Sequence, residues 1–287
     1  MADGRLVNIG DTQLNIVERG HGYPLIVLHG GPGLDHHMFG DYLDPLTDHY
    51  RLILVDQRAQ GLSAMCPPST WTIPQMAQDV VSLAQALELG QYAVLGHSFG
   101  AMVALQNAVD FPGAAAQTII SSGVPSASKY LGPHVQFHIE NFEPIELREK
   151  VAASWERETI AQTQEDVASL LTDQFPYHFR DPFSPLIDEM WQRTAGAVYS
   201  PHVLRHFATQ AYGGIEVEDQ LPHVTHPVLV LAGRHDRACS VPAAQAIAAG
   251  IPNAKLMVFE NSGHMTYVEE NEHYLKAVRD FLGSNRG

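Results

Sequence analysis

The sequence predicts an α/β fold, a doubly wound and mostly parallel sheet interrupted by one inserted block of helices. Three observations carry this reading. Short continuous apolar runs recur along the chain, helical patterns separate them, and the alternation stops between about Pro125 and Gly213. The 287 residues suit one large domain with an insert, expected as a core of residues 1–124 and 213–287 and a helical cap of residues 125–212.

The first elements are Arg5–Ile9 and Thr12–Val17, the second alternating polar and apolar residues, with Gly10-Asp11 between them as the turn of a β-hairpin. The later strand candidates change character. Leu25–Leu28, Leu52–Val55, Ala93–Leu95, Thr118–Ile120, Val228–Leu231 and Leu256–Phe259 are apolar throughout, as strands buried on both faces of a parallel sheet must be. A helix is predicted where Met76, Val80, Leu83 and Leu87 form one stripe. Thr72 with Gln75 three residues on forms its capping box, Pro74 lies in its first turn and Gly90 ends it. A second helix is expected over Ser98–Val109 and a last one over Glu272–Leu282. Within the insert, Pro144–Ala161 and Glu165–Asp173 read as helices, accompanied by Phe137, Phe142, Trp155, Phe175, Tyr177, Phe179, Phe183 and Trp191.

Composition narrows the function. Apolar residues make up 45% of the chain, enough for a substantial core. The 17 basic against 32 acidic side chains give a net charge of −15, which repels phosphate backbones and anionic membranes, so neither is an expected partner. Cys66 and Cys239 cannot form a disulfide framework, which fits a reducing cytoplasm. No leader pattern and no run of about 18 apolar residues is found. A small molecule or a short peptide remains as the partner; oligomeric state is not addressed by any pattern.

Gly96-His97-Ser98-Phe99-Gly100 is a G-x-S-x-G sequence set between a predicted strand and a predicted helix, the context in which this motif exposes a nucleophilic serine. A serine hydroxyl is a weak nucleophile and needs a base, which in turn needs an orienting carboxylate. Asp236 follows the strand Val228–Leu231 and His264 follows Leu256–Phe259, in the order serine, acid, histidine. Both lie past the C-terminal ends of strands, where ligands collect in open α/β sheets. His235, beside Asp236, is expected to point elsewhere. The oxyanion of an attacked carbonyl needs backbone N–H donors. Phe99 is one candidate, and the turn His29-Gly30-Gly31-Pro32-Gly33 supplies the other, assigned to Gly31 with Gly30 as the competing choice; Pro32 has no N–H.

Asp35-His36-His37 invites a metal reading, but H-E-x-x-H and cysteine-rich ligand spacings are missing, so no metal is expected. Gly30-Gly31-Pro32-Gly33 lacks the lysine and hydroxyl residue of a phosphate loop, and no other cofactor is implied. The two cysteines read as small hydrophobes, although Cys239 lies near enough to Asp236 for thiol reagents to affect activity.

Taken together, these residues resemble the α/β-hydrolase superfamily, and within it the proline iminopeptidase group. His29-Gly30-Gly31-Pro32-Gly33, Asp56-Gln57-Arg58, Gly61-Leu62-Ser63, the Ser98 turn, Asp236 and Ser262-Gly263-His264 carry the likeness over nearly the whole chain. The resemblance implies Ser98 as nucleophile, His264 as base, Asp236 as its orienter and a helical cap over the pocket. It also implies a cap carboxylate for the substrate's free amine. Trp155-Glu156 resembles that segment, with Glu140, Glu143 and Glu146 as weaker candidates. His97 and Phe99 flank the serine where the peptidase group usually has glycine and an aromatic tryptophan or tyrosine, and Ala59-Gln60 stands where it has glycine. The expected activity is therefore release of an N-terminal residue, proline first, from short peptides through an acyl-enzyme. A carboxylesterase or lactonase is the alternative, and a non-catalytic ligand receptor on the same fold a third.

Overall fold

The computed structural model describes residues 4–284; residues 1–3, which begin the stretch searched for a leader, lie outside the described residues, as do 285–287. Eight strands form one sheet. They are β1 (Arg5–Asn8), β2 (Gln13–Arg19), β3 (Tyr23–Leu28), β4 (Tyr50–Val55), β5 (Ala93–His97), β6 (Gln117–Ser121), β7 (Val228–Gly233) and β8 (Ala254–Phe259). Their order is β1-β2-β4-β3-β5-β6-β7-β8. The hairpin β1–β2 joins β4 antiparallel, and every later neighbour is parallel.

The apolar runs owe their continuity to helices on both faces. Ile26, Leu28, Ile53, Val55, Val94 and Ile120 point into one core layer with Met76, Val80 and Leu83 of α1 (Ile73–Ala86) and Val103 of α2 (Phe99–Asp110). Their neighbours Leu25, Val27, Leu52, Leu54, Leu95 and Ile119 point into the other layer, with Tyr274, Val278 and Phe281 of the C-terminal helix. A strand residue therefore has no solvent side on which a polar group would be tolerated. β8 departs from this expectation. It is the edge strand, Lys255 is exposed, and only Phe259 is fully covered.

Between β6 and β7 the chain forms α3 (Ala127–Tyr130), α4 (Gly132–Glu140), α5 (Ile145–Glu158), α6 (Gln164–His178), α7 (Leu186–Arg193) and α8 (Pro201–Ala208). After β7 come α9 (Val241–Gly250), α10 (Thr266–Glu269) and α11 (Asn271–Ser284). The end of α1 corrects the sequence reading. The helix stops before Gly90, because Glu88 takes the left-handed turn at φ 51° while the Leu89 and Glu88 N–H groups bond back to Ala84 and Gln85 carbonyls at 2.9 and 3.0 Å. At its start Thr72 caps the Gln75 N–H at 3.3 Å, but the Gln75 side chain turns to Asp79 instead of closing a capping box.

Candidate active site

β5 runs directly into Ser98, whose φ of 56° and ψ of −118° turn the chain sharply into α2. The turn is possible because of its glycines. A Cβ on Gly96 would lie 2.0 Å from the Gly100 carbonyl oxygen, and one on Gly100 would lie 2.3 Å from that of Leu28. The Ser98 N–H donates to the Ser121 carbonyl at 2.9 Å, which ties the turn to β6. Phe99 is the first residue of α2, so its N–H has no acceptor inside the helix.

Asp236 follows β7 and His264 follows β8, and the two meet: His264 Nδ1 lies 2.8 Å from Asp236 Oδ2. The other carboxylate oxygen accepts the Ala238 and Cys239 N–H groups, both at 2.8 Å. Burial alone would raise the Asp236 carboxyl; the His264 ring and these two N–H groups outweigh it and hold the group below its ordinary value. With Nδ1–H given to the carboxylate, His264 Nε2 is left as the acceptor. The His264 backbone is clamped as well, its N–H donating to the His178 carbonyl at 2.7 Å and its carbonyl accepting from Ser122 Oγ at 3.1 Å. His235 is exposed, as expected.

Ser98 and His264 line the same cavity, which encloses about 90 Å³. Their side chains form no hydrogen bond to each other; contacts of this kind commonly tighten only in the complex with substrate. Two further histidines bracket the His264 ring, His97 at 5.0 Å and His178 at 5.1 Å between centroids. Burial drives His97 well below its ordinary value and His178 down to about 3, so both are neutral.

Gly31 lines this cavity beside Ser98 with φ +107°, while the Gly30 N–H is occupied by the Met38 thioether at 3.1 Å. Of the two candidates, Gly31 is the one that lines the cavity and Gly30 the one whose N–H is taken up. The turn is braced by the segment after β4. Gln57 Nε2 donates to the His29 carbonyl at 2.9 Å and the Gly33 N–H donates to Gln60 Oε1 at 2.6 Å. Gln60, a departure from the peptidase pattern, thus has a structural task. Arg58, fully buried, anchors the segment by pairing with Asp79 and Asp11.

Residues of the insert, Trp155, Glu158, Leu171 and Gln174 among them, line the same cavity. Trp155 lines the cavity, but Glu156 is exposed and does not. On a helix the next residue is rotated about 100° away, whereas i and i+3 share a face; the carboxyl on the face of Trp155 is Glu158. It is 4% exposed, lines the cavity and accepts from Gln174 Nε2 at 2.6 Å and from the Tyr212 hydroxyl. Burial lifts it to about 7 against the pull of these two donors. Glu140, Glu143 and Glu146 are exposed. The signal that identifies Glu158 was available in the sequence, since Val151, Ser154, Trp155 and Glu158 form one helical stripe.

Two groups of metal-type donors occur among the described residues, Asp35-His36-His37 and Asp236-Cys239-His264. In the first, Asp35 accepts from the His37 backbone N–H and from the Val198 N–H and lies 2.8 Å from His37 Nδ1, and His36 Nδ1 is 2.7 Å from Asp56. The second contains the bonded Asp236–His264 pair with the buried Cys239 beside it.

The alpha/beta hydrolase fold family matches residues 23–271, and the chain belongs to that family. It is a hydrolase. Among its relatives is a proline iminopeptidase of Clostridium botulinum, 29% identical over 93% of this chain and 92% of the relative. Among solved structures, a proline iminopeptidase of Mycobacterium smegmatis is 25% identical with a TM-score of 0.76, covering 99% of this chain and 98% of its own. An alpha/beta fold family hydrolase from Bacillus anthracis shares the fold at a TM-score of 0.80 and 22% identity, over 97% and 99% of the two chains. No described helix is long and apolar enough to cross a membrane.

Proposed function

We propose that the protein releases an N-terminal residue, proline in the first place, from short peptides or their amides through a Ser98 acyl-enzyme. His264 Nε2 takes the Ser98 proton as the hydroxyl attacks the scissile carbonyl. Asp236 keeps the ring in the tautomer that can do so and stabilises the imidazolium that forms. The Gly31 and Phe99 N–H groups receive the oxyanion. The protonated His264 then gives its proton to the leaving amine, and the same imidazole activates the water that frees Ser98.

Helices α3–α8 act as the cap, and Glu158, in place of Glu156, holds the substrate's ammonium. The observation that carries this choice is a buried carboxyl with no cation bonded to it among the described residues, opening into the cavity that Ser98 and His264 line. An unpaired buried acid is costly, and a bound ammonium is the group that would offset it. Trp155 contributes the adjoining apolar wall. The names of the curated relative and of the Mycobacterium smegmatis structure support the same reading.

A second reading, a carboxylesterase or lactonase, is favoured by the remaining walls, since Leu34, Met38, Met102, Leu131, Leu171 and Leu204 are all apolar. Comparing a proline arylamide, its N-blocked form and a p-nitrophenyl ester separates the two. Preference for the free amine, lost in Glu158→Gln, is the expected result. Equal turnover of blocked and free forms would favour the esterase.

A further inference from the structure

Glu158 is bonded to two donors that carry no charge, one on each carboxylate oxygen. Gln174 reaches Oε1 from α6. Tyr212 reaches Oε2 from a turn in which four successive residues have positive φ: Ala211 at 48°, Tyr212 at 52°, Gly213 at 89° and Gly214 at 57°. Two of these are not glycine, so the backbone adopts a conformation that L-residues avoid, and it does so where the phenol enters the cavity.

The nearby cations are engaged elsewhere. Arg157 pairs with Asp173 and reaches Ser169, and Arg205 of α8 donates to the Ala161 carbonyl. Tyr177 lies behind Tyr212, and His178, His264 and Cys239 line the same cavity as Glu158; burial keeps His178 neutral and pushes the Cys239 thiol up. From α4, no charged group bonds to it among the described residues.

We propose that Tyr212 and Gln174 determine specificity by positioning the Glu158 carboxylate with neutral hydrogen bonds only, which leaves the substrate's own amine as the cation that completes the site. The proposal rests on the assignment of Glu158 as the amine anchor. A carboxylate has about four acceptor directions, and two are filled here. An arginine in place of either donor would neutralise the acid and repel an ammonium. An amide and a phenol favour the ionised form without satisfying its charge.

The sign of the pH dependence follows. Below the range near 7 the carboxyl is protonated and offers a cationic amine no ion pair; above it the carboxylate is ionised and binds. Removing either donor raises the group further, so binding begins at higher pH. When an ammonium binds near neutral pH, the proton held by Glu158 passes to the buffer. An uncharged ester is indifferent to this equilibrium.

The test measures kcat/KM from pH 5 to 9 for a proline arylamide and a p-nitrophenyl ester, in the parent, Tyr212→Phe and Gln174→Leu. The acid limb of the arylamide profile should move up by about one pH unit in each variant. At pH 7 the arylamide KM should rise about fivefold with kcat within about twofold, while the ester profile stays in place. An unmoved arylamide limb, or parallel loss of both activities, overturns the proposal. Calorimetry of prolinamide binding in two buffers of different ionisation heat gives a readout without turnover: proton release in the parent at pH 7, less at pH 9, and none in Glu158→Gln. Absence of release from the parent at pH 7 overturns it too. A parent that turns over blocked and free arylamides equally fails in a separate arm, and there the anchor assignment itself falls and this proposal with it.

Discussion

The two halves of the pocket are built by different means. On the sheet side, Ser98 stands immediately after β5, Asp236 three residues past β7, His264 five residues past β8 and Gly31 three residues past β3. Each is placed by a strand end and by backbone hydrogen bonds: Ser98 N–H to Ser121, His264 N–H to His178, two N–H groups on Asp236. On the roof, Glu158, Gln174 and Tyr212 come from the end of α5, the body of α6 and a strained turn after α8, joined only through side chains. The difference teaches that the proposed acyl-transfer machinery is held by main chain, which tolerates little change. The substrate choice proposed for this pocket would rest on side-chain contacts between helices, which a single substitution can rewire.

That contrast can be broken most severely at the strand ends. Ser98→Ala or His264→Ala should lower kcat by about 10⁶ and Asp236→Ala by about 10⁴, with substrate binding little altered. Single-turnover kinetics on an activated ester checks this, and full activity in Asp236→Ala would show that another acid serves His264. The backbone comes next. Gly31→Ala puts a side chain where φ is +107° and its Cβ would meet Leu34 at 3.0 Å. Alanine keeps the N–H but displaces it, which should cost up to about 10²–10³ in kcat, and an unchanged melting curve would localise the damage to the turn.

On the roof the effect should fall on one class of substrate. Glu158→Gln is expected to lower kcat/KM for a free-amine substrate by about 10² and to spare a p-nitrophenyl ester, whereas Glu156→Gln should leave both within about twofold. Comparable losses in the two glutamine variants would return the anchor to the exposed position. The smallest expected effect lies far from the pocket. Glu88→Gly relieves a left-handed residue at the end of α1 and should raise stability by up to about 1 kcal/mol, read as a higher denaturant midpoint with activity unchanged.

Legibility followed the same division. The strands were readable because burial on both faces leaves no room for polar residues, and the G-x-S-x-G turn because close backbone approach demands glycine at Gly96 and Gly100. The choice between Gly30 and Gly31 was open until Met38, eight residues on, was seen to occupy the Gly30 N–H. Trp155 and Glu156 face different surroundings because helix neighbours diverge, while Glu158 and its Trp155 stripe obey a periodicity that a carboxyl at an apolar position conceals. Gln174 and Tyr212 carried no local signal at all. The end of α1 was misplaced because glycine is the usual left-handed residue, and here a glutamate accepts that conformation two residues earlier.

The linear chain was enough to specify an α/β sheet, its hairpin, the serine turn and the order of acid and base, because each depends on short-range periodicity or on glycine at a backbone constraint. Which carboxyl lines the cavity, which glycine N–H the Met38 thioether takes up and what surrounds the buried acid were decided by the tertiary structure. Those properties depend on contacts between segments tens of residues apart, and burial converts an unremarked glutamate into a group whose charge is open to negotiation.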